Sequence, residues 1–375
     1  MDKISILLMI DDATLGGGQM HIFLLAKYLD KSQFEVSIAT ESQGWLVDVA
    51  STLNIPIHYL SISNKLTFQS FKNVQDLLTE NHFDIIHTHG GTAGFWGRLL
   101  SRIFSKSSKI IHTYHGLHYL NHTSLKSKIF RIIDQILLSI THKTICVCHA
   151  DYISGLTAKV VSSNSSTIIY NGIEIDKFSE ILDKEKSQKI FNIDDEKFIF
   201  GNVARLHEQK GHKILLQAFA KIIESHNNAH LLIIGDGELK EELISLTEYL
   251  GISEKVNFLG KRSDIGEFLA AINIFVLPSL WEGQPIALLE ALTMGKPCIA
   301  SAVNGILEII NHGVNGYLVN PNDIDNLYQA MVLLMSDNKL CEQLSNQSKM
   351  TISDKFSAQN MANKTAILYN KILDK

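Results

Sequence analysis

Short β-branched and leucine-rich runs alternate along this chain with longer stretches in which apolar positions recur at helical spacing. That alternation predicts strands and helices in turn, and hence parallel sheets with ligands at the carboxyl ends of their strands. Strands are expected over residues 3–10, 34–40, 55–60, 83–87, 109–113 and 143–147, with helices over 20–29 and 71–79. Another strand runs from Thr167 and closes at Asn171-Gly172, before a variable charged stretch at 183–197. The domain boundary belongs here, giving domains 1–171 and 172–357. The alternation then restarts, with strands over 198–203, 231–234, 256–259, 272–277 and 296–300 and helices over 214–224, 238–250 and 264–270. A last helix over 358–373 follows a linker and can pack back on the first domain.

The chain is organised around Ser279 to Leu292, which follows the apolar run ending at Pro278. A helix is expected after Gly283, with Pro285 in its first turn and an apolar face of Ile286, Leu288, Leu289 and Leu292. Glu282 then stands in the strand-to-helix loop, and Glu290 about two turns further along. First-turn amides attract anions, so two carboxylates on either side of them suit a sugar and a ribose flanking a phosphate. The plain alternative is two solvated glutamates on a surface helix. Gly16-Gly17-Gly18, between the first strand and helix, suits close backbone approach to a ligand, and equally a tight turn.

At 375 residues, with 45% hydrophobic and 19% charged residues, the chain can fill two cores. A net charge of −5 argues against nucleic acid as a partner. The first ten residues are too short an apolar run for a signal peptide and no window suits a membrane span, so the expected location is cytoplasmic. Cys146, Cys148, Cys298 and Cys341 do not make a disulfide framework. His87, His89, His112, His115 and His118 gather at strand ends, but no compact zinc spacing joins them; packed or hydrogen-bonding histidines are expected, with His115 the candidate for substrate contact. Cys146-Val147-Cys148-His149 reads as a strand end with buried thiols rather than a metal site.

Four elements together resemble glycosyltransferase family 4. They are Glu282 through Glu290; Arg205 and Lys210 within Val203 to Gly211; Gly305-Ile306-Leu307-Glu308 with Asn315-Gly316 and Pro321; and the Gly16–Gly18 loop. The resemblance implies the GT-B architecture, two facing Rossmann-like domains in an α/β chain, each with a doubly wound parallel sheet. It implies retaining transfer of a sugar from a nucleoside-diphosphate sugar, UDP-linked by family frequency, to an acceptor hydroxyl. Glu282, Arg205, Lys210 and His115 take the catalytic positions, and Gly17, Gly18, Gly211, Arg262, Gly283, Gln284, Pro285, Ile286 and Glu290 the donor-binding ones. Arg205 and Lys210 would neutralise the departing diphosphate, so no metal or other cofactor is required. Glu238 fits helix capping. Two positions depart from the family pattern, Gln284 and Gln19, and bear on the sugar and acceptor rather than on the reaction class.

Other readings are an epimerase or phosphorylase of the same architecture, or a non-catalytic nucleotide-sugar-binding subunit. A nicotinamide enzyme is excluded, because the glycine loop lacks the further glycine and the ribose-binding acid. For the acceptor, no Asp or Glu lies between Ile85 and Ile133, whereas Arg98, Arg102, Lys106, Lys109, Lys126, Lys128 and Arg131 do. Phe95, Trp96, Leu99, Leu100, Ile103 and Phe104 are interleaved with the first of these, and Ile129, Phe130, Ile132 and Ile133 sit beside the second group. Residues 95–131 therefore suit docking on an anionic inner leaflet and a lipid-linked saccharide acceptor, as in surface polysaccharide (O-antigen or capsule) synthesis. The alternatives are a core helix with a basic edge and a small soluble acceptor.

Overall fold

The computed structural model of the protein describes residues 3–62, 67–179, 182–193 and 197–374. The chain forms two compact units, Met1–Gly172 with Lys355–Lys375, and Ile173–Asp354. Residues 194–196 of the charged stretch lie outside the described residues.

The first unit begins with β1 (Ile4–Met9), α1 (Gly17–Tyr28), β2 (Phe34–Thr40), α2 (Trp45–Thr52), β3 (Ile57–Tyr59) and α3 (Phe68–Glu80). It continues with β4 (Ile85–His89), α4 (Gly91–Phe104), β5 (Lys109–Tyr114), α5 (Leu125–Leu138), β6 (Lys143–Cys146), α6 (His149–Ala158) and β7 (Ser166–Ile168). Its parallel sheet has the order β3-β2-β1-β4-β5-β6-β7. Because the central strands are covered on both faces, they are near-continuous apolar runs, and Ile6, Leu7, Leu8 and Met9 of β1 are fully buried. α1 starts earlier than its apolar period does: Gly16 is extended at the N-cap and Met20 donates its N–H to the Gly16 carbonyl, so Gly17 and Gly18 form the first turn.

The second unit contains α7 (Ile175–Ser179), α8 (Lys184–Ile190), β8 (Phe198–Val203), α9 (His212–Ile223), β9 (Ala229–Ile234), α10 (Lys240–Tyr249), β10 (Val256–Phe258) and α11 (Ile265–Ala271). β11 (Ile274–Leu277), α12 (Ile286–Thr293), β12 (Cys298–Ser301), β13 (Tyr317–Val319), α13 (Ile324–Ser336) and α14 (Asn338–Thr351) complete it. This sheet has the order β10-β9-β8-β11-β12-β13 and is also parallel.

The last helix, α15 (Ala358–Ile372), returns to the first unit. Ala358, Met361, Ala362, Leu368 and Tyr369 recur at helical spacing and join the same core as Ile6, Leu8 and Leu25. Tyr369 is fully buried, meets Phe34 edge-on, and its hydroxyl lies 2.6 Å from Nδ1 of His87 on β4.

α4 corrects part of the docking expectation. Leu100 and Ala93 are core, and Trp96, Leu99 and Phe104 pack against the cluster that includes Leu7, Met9 and Ile86. Arg98 is buried, 2.5 Å from Asp134, so it contributes no positive surface. Asp134 lies just beyond the acid-free window, which is why the pairing was not visible there. Ile103 is exposed on α4, but the exposed apolar stripe lies on α5, where Leu125, Ile129, Ile132 and Ile136 recur on one face. Among the described residues, no helix is long and apolar enough to cross a membrane.

Replacing Tyr369 with Ala should cost roughly 3–5 kcal/mol through the cavity it leaves. Tyr369→Phe should cost about 1–3 kcal/mol by orphaning a buried ring nitrogen. Both losses should appear in urea titrations as a lower midpoint for the first unit, with the second unit's transition unmoved.

Candidate functional site

In an open parallel sheet the ligand crevice forms where neighbouring crossovers diverge, outside the carboxyl ends of the strands. In the second unit that point lies between β8 and β11. The loop after β8 carries Arg205 to Gly211, and the loop after β11 carries Ser279 to Pro285. The two loops are joined by the Leu280 N–H, which donates to the Gln209 carbonyl at 2.7 Å. Gly211 permits the approach: its φ is +67°, and a Cβ there would stand 2.0 Å from the Pro278 carbonyl oxygen.

Glu282 is buried at this junction. Its Oε1 accepts from Lys210 Nζ at 2.5 Å and from Ser279 Oγ at 2.7 Å, and its Oε2 accepts from Gln209 Nε2 at 3.4 Å. Gln209 also donates to the Trp281 carbonyl at 2.9 Å. Lys210 and Glu282, separate candidates in the sequence, are thus an ion pair in the folded chain. Arg205 is exposed, and among the described residues no carboxylate lies within ion-pair distance of it. Gln209 and Ser279 were missed as partners; the only signal for Gln209 is its place beside Lys210.

Helix α12 begins at Ile286 rather than soon after Gly283. Pro285 is therefore the N-cap, extended at φ −74° and ψ 115°, and no side chain caps the helix. Glu290 consequently stands about one turn into the helix. The first-turn amides keep the partial positive charge of an uncapped helix end. Gly283, Gln284 and Ile286 lie at or beside that end, with Gln284 and Ile286 buried. Glu290 is buried too, and burial raises its carboxyl to about 8, partly offset by Lys177 and reinforced by Glu174.

Arg262 stands apart from this junction. It forks onto Asp264 at 2.8 and 2.5 Å and lies over the Phe191 ring at 4.9 Å. Glu238 does not cap α10, whose N-cap is Leu239; its carboxylate lies 3.3 Å from His207 Nε2. α10 starts too late for the Glu238 side chain to serve its end.

The first unit has its own divergence point, between β1 and β4. Gly17 borders open space there, and a Cβ on Gly18 would lie 3.5 Å from the His115 ring. His115 Nε2 lies 3.0 Å from His89 Nδ1, and His21 stands edge-on to His115 at 4.9 Å. His21 Nδ1 meets the Asn171 side-chain oxygen at 2.9 Å, and His87 lies between Tyr369 and Thr113. Burial holds His87, His89, His112 and His115 well below their ordinary value, and mutual repulsion adds to it; His21 falls to about 4. These rings are neutral near pH 7. Among the described residues, no group of three or more His, Cys, Asp or Glu side chains could hold a metal ion. Cys146 and Cys148 are both buried, and the Cys148 sulfur accepts the Asp151 N–H at the start of α6. His21 was not visible as a member of the cluster because it comes from a helix rather than a strand end.

Residues 15–177 match the family model described as Glycosyltransferase Family 4, and residues 183–351 match that described as Glycosyl transferases group 1. An Escherichia coli relative, UDP-Gal:alpha-D-GlcNAc-diphosphoundecaprenol alpha-1,3-galactosyltransferase, is 29% identical over 351 residues, 91% of this chain and 90% of its own length. The Staphylococcus aureus capsular polysaccharide biosynthesis glycosyltransferase CapM is 25% identical over 296 residues, 77% of each chain. Among solved structures, Anabaena HepE in complex with UDP and glucose aligns with a TM-score of 0.84 at 21% identity, covering 97% of this chain and 99% of that one.

Glu290 should make stability depend on pH. Its folded value, about 8, lies above the ordinary 4.5, so the folded state holds a proton that the unfolded state releases. That stabilisation is full below about 4.5 and is lost as pH rises through 8. Thermal melts of Glu290→Gln against the parent should therefore show a difference in the variant's favour that widens across this window and levels off above it.

Proposed function

We propose a specific reaction for this chain, which belongs to glycosyltransferase family 4 and has the GT-B fold: retaining transfer of a sugar from a UDP-linked donor to a lipid-linked saccharide. The observation that carries it is the junction of Arg205, Lys210 and Glu282 at the divergence of β8 and β11, beside the uncapped end of α12. As the bond from the anomeric carbon to the diphosphate breaks, negative charge grows on the leaving oxygen. Arg205, Lys210 and the α12 amides oppose it. The acceptor oxygen bonds to the anomeric carbon on the face that the diphosphate leaves, its proton passes to the departing diphosphate oxygen, and the nucleoside diphosphate departs. Glu282 and the amides of Gly283, Gln284 and Ile286 hold the transferred sugar, with Pro285 between them, Glu290 takes the ribose hydroxyls, Gly211 gives the phosphates room, and Arg262 lines the base. Gly17, Gly18 and His115 are the first unit's candidates for substrate contact. This assignment routes the diphosphate charge through the protein's own cations, with no metal.

The Escherichia coli relative, whose name gives a UDP-sugar donor and a diphosphoundecaprenol-linked acceptor, supports that pair of substrates here. CapM supports a place in polysaccharide synthesis. The acceptor's lipid suits α5, whose exposed Leu125, Ile129, Ile132 and Ile136 are accompanied by exposed Lys126, Lys128 and Arg131. An apolar stripe with basic flanks is the pattern of a helix that lies in an anionic interface. Each engaged basic residue contributes about 1 kcal/mol near such a surface.

Arg205→Ala and Lys210→Ala should each lower turnover by roughly a hundredfold or more, and less than additively together because both serve one diphosphate. Their stabilities should differ. Lys210→Ala strands the buried Glu282 and should cost roughly 3–5 kcal/mol, whereas exposed Arg205→Ala should melt like the parent. Near-normal turnover in either variant removes that residue from the assignment.

Ile129→Glu with Ile132→Glu should abolish sedimentation with vesicles of phosphatidylglycerol and leave turnover on a short-chain acceptor intact. Unchanged sedimentation assigns vesicle binding to another surface.

A further inference from the structure

The opposite, amino-terminal edge of the first sheet carries a cavity of about 230 Å³ where the end of α4, the start of β5 and the turn after α5 meet. It is smaller than pockets for drug-sized ligands, which begin at about 300 Å³. No Asp or Glu lines it. Most of its hydroxyl protons are already committed. Ser108 donates to the Phe83 carbonyl, which leaves Ser105 as the donor in the 2.6 Å bond between the two serines. Ser139 and Thr141 donate to the carbonyls of Ile136 and Leu137.

Four groups still have hydrogens to give. Ser101 is fully buried, and among the described residues its Oγ has no hydrogen-bond partner. His142 Nδ1 accepts the Ile110 N–H at 3.0 Å, which fixes the neutral ring's proton on Nε2. Burial, Lys109 and Arg102 lower its pKa, so it acts as a neutral donor near pH 7. Arg102 and Lys106 are exposed at the rim, with no carboxylate at ion-pair distance among the described residues. Two cations, two neutral donors and no lining carboxylate are the complement of a small oxyanion. Ile110 and Ile140 are the apolar members of the cavity's lining.

We propose that this cavity is a second ligand site, which takes a phosphate group on Ser101, Arg102, Lys106 and His142, either from a lipid headgroup or from a free phosphate ester. The site is independent of the transfer reaction, because none of these residues lies at the carboxyl edge of either sheet.

The test uses the full chain, with sn-glycerol 3-phosphate as soluble probe in calorimetry and vesicles of phosphatidylglycerol with phosphatidylcholine as the lipid probe. Two variants separate a built site from diffuse charge: Arg102→Ala with Lys106→Ala at the rim, and Ser101→Ala, which keeps every charge. Arg205→Ala serves as the background in all arms, to weaken phosphate binding at the donor site. Expected is saturable binding of one or both probes, weakened at least tenfold by the rim pair and at least threefold by Ser101→Ala, with melting curves matching the background. Glycerol phosphate binding that does not displace protein from vesicles assigns the site to free phosphate esters. Vesicle binding that glycerol phosphate displaces assigns it to a headgroup. Binding of neither probe overturns the proposal, and so does weakening by the rim pair with none by Ser101→Ala.

Discussion

A carboxylate taken out of water needs a cation and donors around it, and Glu282 finds most of them on the neighbouring loop. Lys210 and Gln209 can reach it only because the turn at Gly211 runs against Pro278, where any side chain would collide with backbone. Once these loops are held together, Arg205 is left exposed and α12 starts with its amides uncapped. A site whose free charge is positive thus arises around a buried carboxylate. The paired lysine is what reconciles them.

The two units answer the same topology with different chemistry. At the divergence in the second sheet stand fixed charges; at that in the first stand imidazoles kept neutral by burial and by one another. Fixed charges suit a leaving group whose charge grows. Neutral rings beside the glycine turn suit hydroxyls, which need both donors and acceptors and lose little by leaving water for them.

Strand positions are legible in the sequence because buried parallel strands are continuous apolar runs, and 34–40 and 198–203 coincide with β2 and β8. Ends are less legible. Pro56 shortens the strand expected over 55–60, and the backbone bond to Gly16 draws the glycine turn into α1. Helix α12 starts later than expected because Pro285 is its cap rather than its first turn. Long-range pairing is the least legible. The Lys210–Glu282 pair spans 72 residues, and Arg98–Asp134 spans 36, so neither leaves a local pattern. Spacing put apolar positions of both α4 and α5 among docking candidates; the core claims most of those on α4, and the exposed apolar stripe belongs to α5. The residue types of the site were readable, but not which of them would compensate one another.

The return of α15 has a consequence for how the protein is made. The first unit comprises the opening stretch of the chain and its last residues, with the whole second unit between them. As domains tend to fold in the order they leave the ribosome, the second unit can close on itself while the first still lacks Met361, Leu368 and Tyr369 from its core. The first sheet must therefore wait, with its α15 groove open, until α15 itself has been made. A break within α15 would therefore damage a sheet whose strands are encoded ahead of the entire second unit.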